Sequence, residues 1–479
     1  MNLSAIGFIA YLLALVVIGV VSARASSEGV GSYFLAGRSL NRWVVALSAV
    51  ASGRSAWLLL GFVGVAYTSG ISAMWAAVGY IVVECLMFFF YAPKLRQFTE
   101  DNDCITIPDF FAAKLGDKGG YLRTLLVVII AVFMVAYVSA QFVAGGKAFF
   151  SSFGIEETTG VFLTAAIILV YTLLGGFVAV SKTDVIQAFC MLLALVVLPV
   201  IAIVNFGGWG PVYEASLGAN DSFFDPAALG LGATIGLLGI GLGSPGNPHI
   251  VVRFMSIRKK EDLWFAAFIG TFWNIVLAAG ALLIGIAARA YFPEAAMLPG
   301  ADAEQAFPHL ALQVLHPLLF GLIIAAIFSA IMSSADSQLL VAASGFVRDF
   351  YQKLYLKDNE VDENRLVLYS RIVVFALVAA ALVFGFLAED LVFWLVLFAW
   401  AGLGATIGPP SLLTLFWGGT TRVGAMAGMV TGGTLVFLWK LVPYFRAEIW
   451  DMYELVPAFI GSAAATLVVS LATQDRKRL

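Results

Sequence analysis

A single arginine interrupts an apolar stretch that is otherwise long enough to span a bilayer. Residues 47–70 read LSAVASGRSAWLLLGFVGVAYTSG, and a membrane-spanning helix needs about 20 apolar residues. Arg54 lies near the middle, within the small and polar run Ala51 to Ala56. Backbone groups freed by a break at that depth need protein, water or an ion as partners, because lipid offers none. We therefore predict a functional break there; an arginine that reaches to the membrane surface is the alternative.

A second interrupted stretch follows later in the chain. Residues 229–254 read LGLGATIGLLGIGLGSPGNPHIVVRF, with seven glycines between Gly230 and Gly246. The literal GxGxxG at 241–246 lies in an apolar span and follows no strand, so it does not indicate a dinucleotide site. Close helix packing is the alternative explanation for the glycines. Packing does not account for Pro245, Asn247 and Pro248, and we predict a second broken helix.

The composition is that of an integral membrane protein. Of 479 residues, 61% are hydrophobic and 12% are charged, whereas soluble proteins carry about 25% charged residues. The net charge of −3 gives no sign of a nucleic-acid partner. Three dispersed cysteines argue against a disulfide framework. His249, His309 and His316 are scattered, and no nucleophile–base pair stands out, so we do not expect an enzyme.

Apolar segments predict an all-α protein with thirteen transmembrane helices. They fall at about 4–23, 43–68, 72–92, 122–149, 158–180, 184–206, 228–252, 262–290, 310–346, 366–388, 391–417, 422–442 and 454–473. The interrupted helices are numbers 2 and 7, which enter the membrane from opposite sides. Matching interruptions in two inverted halves are typical of a secondary transporter with a site at mid-membrane. We predict a first repeat at 43–206 and a second at 228–417, preceded by one helix at 4–23 and followed by two at 422–473.

The distribution of lysine and arginine predicts the orientation. With the N-terminus outside, 21 of the 27 basic residues fall in cytoplasmic loops, among them Arg24, Arg253, Lys259 and the C-terminal Arg476–Arg478. Four lie outside: Lys147, Arg289, Lys440 and Arg446. We therefore expect a multi-pass protein of the cell (inner) membrane. Its N-terminus would lie outside and its C-terminus in the cytoplasm. We also expect an amphipathic cytoplasmic helix around 107–115, and solvated acidic outer loops at 207–227 and 291–308.

Several motifs together resemble the sodium:solute symporter family, and within it the sodium/proline symporters. They extend over nearly the whole chain: FLAGRSL (34–40), Ser55 with Trp57–Gly61, TIPDFF (106–111), LLGGFVAVSKTDVIQ (173–187), NPHIVVRFM (247–255), IMSSADSQLLVAAS (331–344), WAGLGATIGPPSLLTLFW (400–417) and GAMAGMVTG (424–432). The resemblance implies the LeuT-type fold, built from two inverted repeats of five helices, and transport by alternating access.

The resemblance also implies two sodium sites, with Na⁺ as the coupling ion. The first would use the backbone carbonyls of Ala51, Arg54 and Ala330 with the hydroxyls of Ser333 and Ser334. Oxygen ligands of this kind suit a hard cation. A hydrogen-bonded serine pair between helices is the alternative. The second site would join Asp184 to Ser334 or Ser337, unless Asp184 serves only as a charge at the start of its helix.

For the solute, the family's pocket lies between helices 2, 4 and 7. By resemblance this pocket would be formed by Ser55, Trp57, Gly61, Tyr137, Gln141, Ile240, Ser244 and Asn247. Trp57 and Tyr137 could equally be packing or interfacial aromatics.

The chain departs from the proline carriers at the proposed core. They place an acid at position 53 and an uncharged residue at 54, where this chain has Gly53 and Arg54; Ile240 and Ser244 replace substrate-contacting aromatics, and Asp336 replaces a small residue. We therefore hypothesise an ion pair between Arg54 and Asp336, two substrate-site candidates on facing helices. Arg54 would then anchor a substrate carboxylate or stand in for sodium.

Taken together, these features predict a sodium-coupled symporter that imports a small organic solute, such as proline or another amino acid or carboxylate. The expected partners are the solute, Na⁺ and the lipid bilayer, and no obligate protein partner is evident. Two alternatives stay open. One is a sodium-independent or proton-coupled carrier in which Arg54 replaces the cation. The other is a transporter-derived sensor that acts with a separate signalling partner.

Overall fold

The structure is a computed structural model that describes residues 3–357, 362–387, 391–442, 444 and 452–474, apart from 24–29. Its principal helices are α1 (Leu3–Ala23), α2 (Val30–Leu35), α3 (Arg42–Ala56), α4 (Val63–Ser69), α5 (Met74–Leu86), α6 (Ala92–Asp101), α7 (Ile107–Leu115), α8 (Tyr121–Phe153), α9 (Glu157–Asn205), α10 (Trp209–Ala219), α11 (Leu231–Leu238), α12 (Pro248–Ser256), α13 (Leu263–Tyr291), α14 (Ala306–Val314), α15 (Pro317–Ser344), α16 (Glu363–Leu387), α17 (Val392–Phe416), α18 (Arg422–Leu441) and α19 (Leu455–Thr473).

Nine helical stretches of the described chain are long and apolar enough to cross a membrane. One of them, Arg42–Asp101, covers two predicted helices, because a 3₁₀ turn at Gly70–Ala73 joins them. Within them, π-helical stretches at Trp57–Phe62 and Met87–Tyr91 link the shorter helices. Three shorter apolar helices coincide with predicted helices 1, 5 and 7. The count of thirteen spans and the repeat boundaries stay predictions. Arg24, Arg446 and Arg476–Arg478 lie outside the described residues.

The helix that contains Arg54 is broken at the residue that follows it. Asn41 begins α3 by accepting a hydrogen bond from the Val44 amide at 3.0 Å. Regular α-helix ends at Ser55, whose φ of 46° and ψ of −174° leave the helical region. A positive φ is rare for a residue that is not glycine and marks strain that the surroundings must hold in place. The predicted interruption is therefore confirmed, with its sharpest point at Ser55.

The second predicted break is also confirmed. After α11 the chain tightens into a 3₁₀ helix at Gly239–Gly246, passes through an extended Asn247 and restarts as α12. Close packing explains part of the glycine content: a Cβ on Gly241 would lie 2.2 Å from the Gly79 carbonyl oxygen of α5. A Cβ on Gly243 would lie 2.0 Å from the Trp400 indole of α17. The glycines thus let this segment approach its neighbours, and the prolines and Asn247 end the helix.

The two ends of the bundle carry different connections. The α7 end, at residues 102–121, holds the predicted amphipathic helix, which begins at Ile107 as expected with Thr106 as its cap. The opposite end of the bundle, which we call the α10 end, holds α10 and α14. Within the predicted acidic loop 207–227, α10 occupies about half of the residues, a helix that was not predicted.

One acidic residue of the α10 end is not solvated as predicted. Glu304 is buried with 3% of its surface exposed, because its carboxylate accepts hydrogen bonds from Lys147 Nζ at 2.5 Å and from the Phe393 amide at 2.8 Å.

Candidate ion and solute site

The break in α3 meets a pair of serines on α15. Ser333 Oγ lies 3.1 Å from the Ala51 carbonyl oxygen and 3.2 Å from that of Ala330. Ser334 Oγ donates to the Ser52 carbonyl at 2.9 Å. All of these residues are buried. The structure therefore brings three of the five predicted ligands of the first sodium site into contact, namely the Ala51 and Ala330 carbonyls and the Ser333 hydroxyl, and it places the fourth, the Ser334 hydroxyl, against the Ser52 carbonyl. The fifth, the Arg54 carbonyl, accepts the Trp57 amide. This all-oxygen group suits Na⁺.

The second predicted site contains a cationic side chain that sequence analysis had assigned elsewhere. Asp184 Oδ2 accepts hydrogen bonds from Ser48 Oγ at 2.6 Å and from Arg253 Nη2 at 3.0 Å. The same Arg253 nitrogen donates to Ser337 Oγ at 2.6 Å, so the guanidinium bridges Asp184 and Ser337. Arg253 is fully buried on α12, and its assignment to a cytoplasmic loop is wrong.

Ser52 connects the two groups. Its hydroxyl lies 3.3 Å from Asp184 Oδ2 and 2.9 Å from the Ser333 carbonyl oxygen, while its own carbonyl accepts from Ser334. Ala51, whose carbonyl would bind the cation, is therefore followed directly in the chain by Ser52, whose hydroxyl contacts Asp184.

The hypothesis of an Arg54–Asp336 ion pair is wrong. Arg54 pairs with Glu84 of α5 through Nη2 and Oε1. Asn274 Nδ2 of α13 donates to the other oxygen of Glu84 at 2.8 Å, and the Tyr80 ring lies 3.9 Å from the Arg54 guanidinium carbon. Asp336 instead accepts from Ser337 Oγ at 3.1 Å, and its charged neighbours are Asp184 and Arg253. The position of Asp336 on its helix determines the direction in which its side chain points, but it does not determine which residue of a neighbouring helix that side chain contacts.

A small cavity lies beside the break. Its lining residues enclose about 270 Å³ that is free of protein atoms, of which about 20 Å³ admits the centre of a water molecule. They are Gly53, Arg54, Trp57, Tyr80, Tyr137, Ile240, Val396, Leu397 and Trp400. Four of these were among the predicted site residues: Arg54, Trp57, Tyr137 and Ile240. Tyr80 and the three residues of α17 were not predicted as site residues, because their place beside the cavity depends on how α5 and α17 pack within the bundle.

The remaining predicted solute residues lie around the cavity without lining it. Ser55 Oγ lies 3.4 Å from the Tyr137 hydroxyl, and Gln141 Oε1 accepts the Ala56 amide at 3.0 Å, so both support the break. Asn247 Nδ2 donates to the Gly243 carbonyl at 2.8 Å, and Ser244 is buried nearby on the same segment. Gly61 faces a different space.

That space is a wider vestibule towards the α10 end, with an empty volume of about 1030 Å³. Ile240 and Leu397 line both the vestibule and the cavity. Phe393 lines the vestibule and Trp57 the cavity, and their rings stack with centroids 5.8 Å apart at 21°. The stacked pair therefore separates the two spaces. Two broken helices with a cluster of oxygen atoms beside one of the breaks are typical of a secondary transporter.

Comparison with known families decides the assignment. The sequence profile of the sodium:solute symporter family matches residues 33–432. The chain belongs to this family. Members are secondary transporters that couple solute movement to sodium, so the protein is a membrane-embedded sodium–solute symporter and not an enzyme.

Curated relatives agree with the family profile. The sodium/proline symporter of Staphylococcus aureus (strain bovine RF122 / ET3-1) is 38% identical over 470 residues, which cover 97% of this chain and 91% of that protein. The same symporter from Staphylococcus aureus (strain JH9) is 37% identical over 476 residues, with the same coverage.

Solved structures show the fold. A Na⁺-coupled sialic acid symporter, in a substrate-bound outward-open state, superposes with a TM-score of 0.83 at 19% identity over 100% of both chains. MhsT in complex with L-phenylalanine superposes with a TM-score of 0.57 at 13% identity, over 91% of this chain and 99% of MhsT. The expected LeuT-type fold is confirmed.

Proposed function

We propose that this symporter imports a small amino acid or carboxylate through the cavity beside Arg54, driven by Na⁺ bound between α3 and α15. The observation that carries the proposal is the meeting of Ala51, Ala330 and Ser333 at the break in α3. Backbone carbonyls freed by a helix break, together with adjacent hydroxyls, supply the oxygen ligands that Na⁺ requires. The named relatives support proline as one candidate solute.

The Asp184–Arg253 pair makes the second predicted sodium site a weaker candidate. A guanidinium already supplies positive charge between Asp184 and Ser337, and a second cation there would be repelled by it. We propose that the first site carries the coupling ion and that the fixed charge of Arg253 holds α9, α12 and α15 together.

The orientation is likewise a proposal. The excess of lysine and arginine in one set of loops supports a cytoplasmic α7 end and an external α10 end. The vestibule would then open outward, and the Trp57–Phe393 stack would cover the solute cavity from outside.

Uptake into proteoliposomes tests the proposal. Radiolabelled proline, alanine, propionate and pyruvate would each be presented with an inward Na⁺ gradient, and in parallel with an equal K⁺ gradient. We expect at least one solute to accumulate under Na⁺ and not under K⁺. Equal uptake of every solute under both gradients would contradict sodium-coupled import.

A further inference from the structure

Three buried donors of the cavity have no hydrogen-bond partner in the described protein. They are Arg54 Nε, Trp57 Nε1 and the Tyr80 hydroxyl, and all three residues line the cavity. Arg54 is 1% exposed and Trp57 is 5% exposed, so water does not reach these groups freely. Buried N–H groups are nearly always paired, and leaving one unpaired is costly. Three orphaned donors beside one cavity indicate that the missing partner is an acceptor on a ligand.

The charges around the cavity narrow the class of ligand. Arg54 is the one charged side chain among the lining residues, all of which the structure describes. Glu84 does not line the cavity, and each of its oxygens already accepts a hydrogen bond, from Arg54 and from Asn274. The cavity therefore offers N–H donors and a positive charge to an anionic group, but no carboxylate to an ammonium group. A buried ammonium without such a partner is strongly disfavoured.

We propose that the solute is a small monocarboxylate without an amino group. Its carboxylate accepts the Nε–H of Arg54 and the Nε1–H of Trp57, and its short apolar remainder lies against Ile240, Val396 and Leu397. Charge-assisted bonds of this kind are among the strongest that a carboxylate makes. Glu84, Asn274 and Tyr80 are positioning residues that hold the guanidinium in place. This inference rests on the proposed function, because it assigns the solute of the same site.

Sodium coupling follows from the charge balance. The Arg54–Glu84 pair is neutral, so a bound carboxylate leaves one uncompensated negative charge in a buried site. Na⁺ at the Ala51 carbonyl, three residues before Arg54 on the same helix, supplies the opposite charge. Each ligand should therefore raise the affinity for the other by the same factor, as linkage requires.

The first test compares solute classes in proteoliposomes under an inward Na⁺ gradient. We expect labelled propionate or pyruvate to accumulate, and unlabelled propionate and pyruvate to compete at least about tenfold better than proline or alanine. Sodium-driven uptake of proline that the monocarboxylates do not inhibit would overturn this inference and leave the proposed function standing. Loss of sodium dependence for every solute would instead remove the proposed function.

A conservative variant tests the donor role directly. Trp57→Phe retains an aromatic ring that can stack on Phe393, while it removes the indole N–H together with the volume of the second ring. We expect the half-saturating concentration of the transported monocarboxylate to rise roughly tenfold, with protein abundance unchanged. Trp264→Phe is the matched control, because Trp264 is 64% exposed and remote from the cavity. An unchanged half-saturating concentration in Trp57→Phe would contradict the proposed contact.

The role of the Arg54 charge has to be tested in a variant that still folds. Arg54→Gln alone leaves Glu84 buried without a counter-charge, so the double variant Arg54→Gln/Glu84→Gln is the informative protein. We expect it to melt at a temperature close to that of the native protein and to lose the propionate-induced rise in melting temperature. A propionate-induced rise that persists in the double variant would overturn the assignment of Arg54.

Discussion

At the scale of single residues, Ser333 and Ser334 have different partners although they are adjacent on α15. Ser333 contacts the carbonyls of Ala51 and Ala330, whereas Ser334 contacts the carbonyl of Ser52. Each hydroxyl is buried against a carbonyl oxygen of α3 that lies within about one turn of the break at Ser55. The pair therefore supplies oxygen to a cation and also holds α15 against α3.

Removing either hydroxyl should weaken the activation of uptake by sodium more than it lowers the stability of the fold. Ser333→Ala and Ser334→Ala each delete one oxygen and leave the helix intact, and a hydrogen bond of this kind contributes about 1 kcal/mol. We expect the Na⁺ concentration for half-maximal uptake to rise several-fold in each variant. Ser344→Ala on the same helix is the control, since its hydroxyl bonds only to the Val341 carbonyl. Unchanged sodium activation in both test variants would remove this site from the account.

The Asp184–Arg253 pair should contribute mainly to stability. Both side chains are fully buried, and removing one partner of a buried ion pair costs about 3–5 kcal/mol. We expect Arg253→Gln to lower the melting temperature of the purified protein clearly, because it leaves the Asp184 carboxylate without a counter-charge. The melting temperature of the double variant Asp184→Asn/Arg253→Gln should fall less. A double variant with a melting temperature below that of Arg253→Gln would show that the two charges do not compensate each other.

The charged residue at the break was predictable from the sequence, but its partner was not. Arg54 could be recognised because it lies at mid-membrane depth among small residues. Glu84 is a single acid within an apolar span on another helix, and its pairing with Arg54 depends on how α5 crosses α3. Arg253 was assigned to a loop because the predicted seventh helix ended at residue 252, whereas α12 extends to Ser256 and carries Arg253 into the core.

At the scale of helices, the start of α17 is tied to the loop before α14. The Glu304 carboxylate accepts the amides of Val392 and Phe393 at 3.2 and 2.8 Å, which would otherwise be free at the helix N-terminus. Lys147 of α8 donates to Glu304 and, at 2.7 Å, to Asp302. Since Phe393 stacks on Trp57, this contact holds the cover between the vestibule and the cavity.

Weakening that contact should open the cavity. Glu304→Gln removes the charge that Lys147 and the helix N-terminus share. A cysteine at position 396, which lines the cavity, should then react several-fold faster with a small thiol reagent, in a background without native cysteines. Glu294→Gln is the control, because Glu294 is exposed in the same connection. Equal labelling rates in both variants would show that Glu304 does not hold the cover closed.

The opposite end of the bundle has its own charged cluster. Arg123 of α8 pairs with Asp109 of α7 at 2.6 Å and with Asp349 after α15. Thr106 donates to Asp349 at 2.9 Å. Burial alone would raise the pKa of the Asp109 carboxyl, but Arg123 and Arg348 beside it hold that pKa below its ordinary value. Asp109 therefore stays ionised at neutral pH, and both ends of the central helices are joined by ion pairs.

At the scale of the whole molecule, the fold was more predictable than the site. Two broken helices five spans apart were visible as local departures from apolar composition, and both appear at Ser55 and Gly239–Asn247. Helix α10 was missed because Trp209–Ala219 has no strong periodicity. The site depends on contacts between helices distant in sequence, which composition and spacing do not determine.

The orientation of the whole bundle can be tested without a known solute. A cysteine at Asp221, which is exposed at the α10 end, should react in intact cells with a membrane-impermeant reagent. A cysteine at Lys259 should react only after the membrane is opened. The prediction follows from the excess of basic residues in the loops of the α7 end. The reverse pattern would contradict an outward-facing vestibule.

The central claim is that sodium binds between α3 and α15, and equilibrium binding of ²²Na⁺ to the purified protein tests it most directly. The native protein and the Ser344→Ala control should bind ²²Na⁺ saturably, with competition by unlabelled Na⁺ and not by K⁺. The double variant Ser333→Ala/Ser334→Ala should lose most of that binding while it elutes from size-exclusion chromatography as the native protein does. Full ²²Na⁺ binding by the folded double variant would place the coupling ion elsewhere and contradict the account.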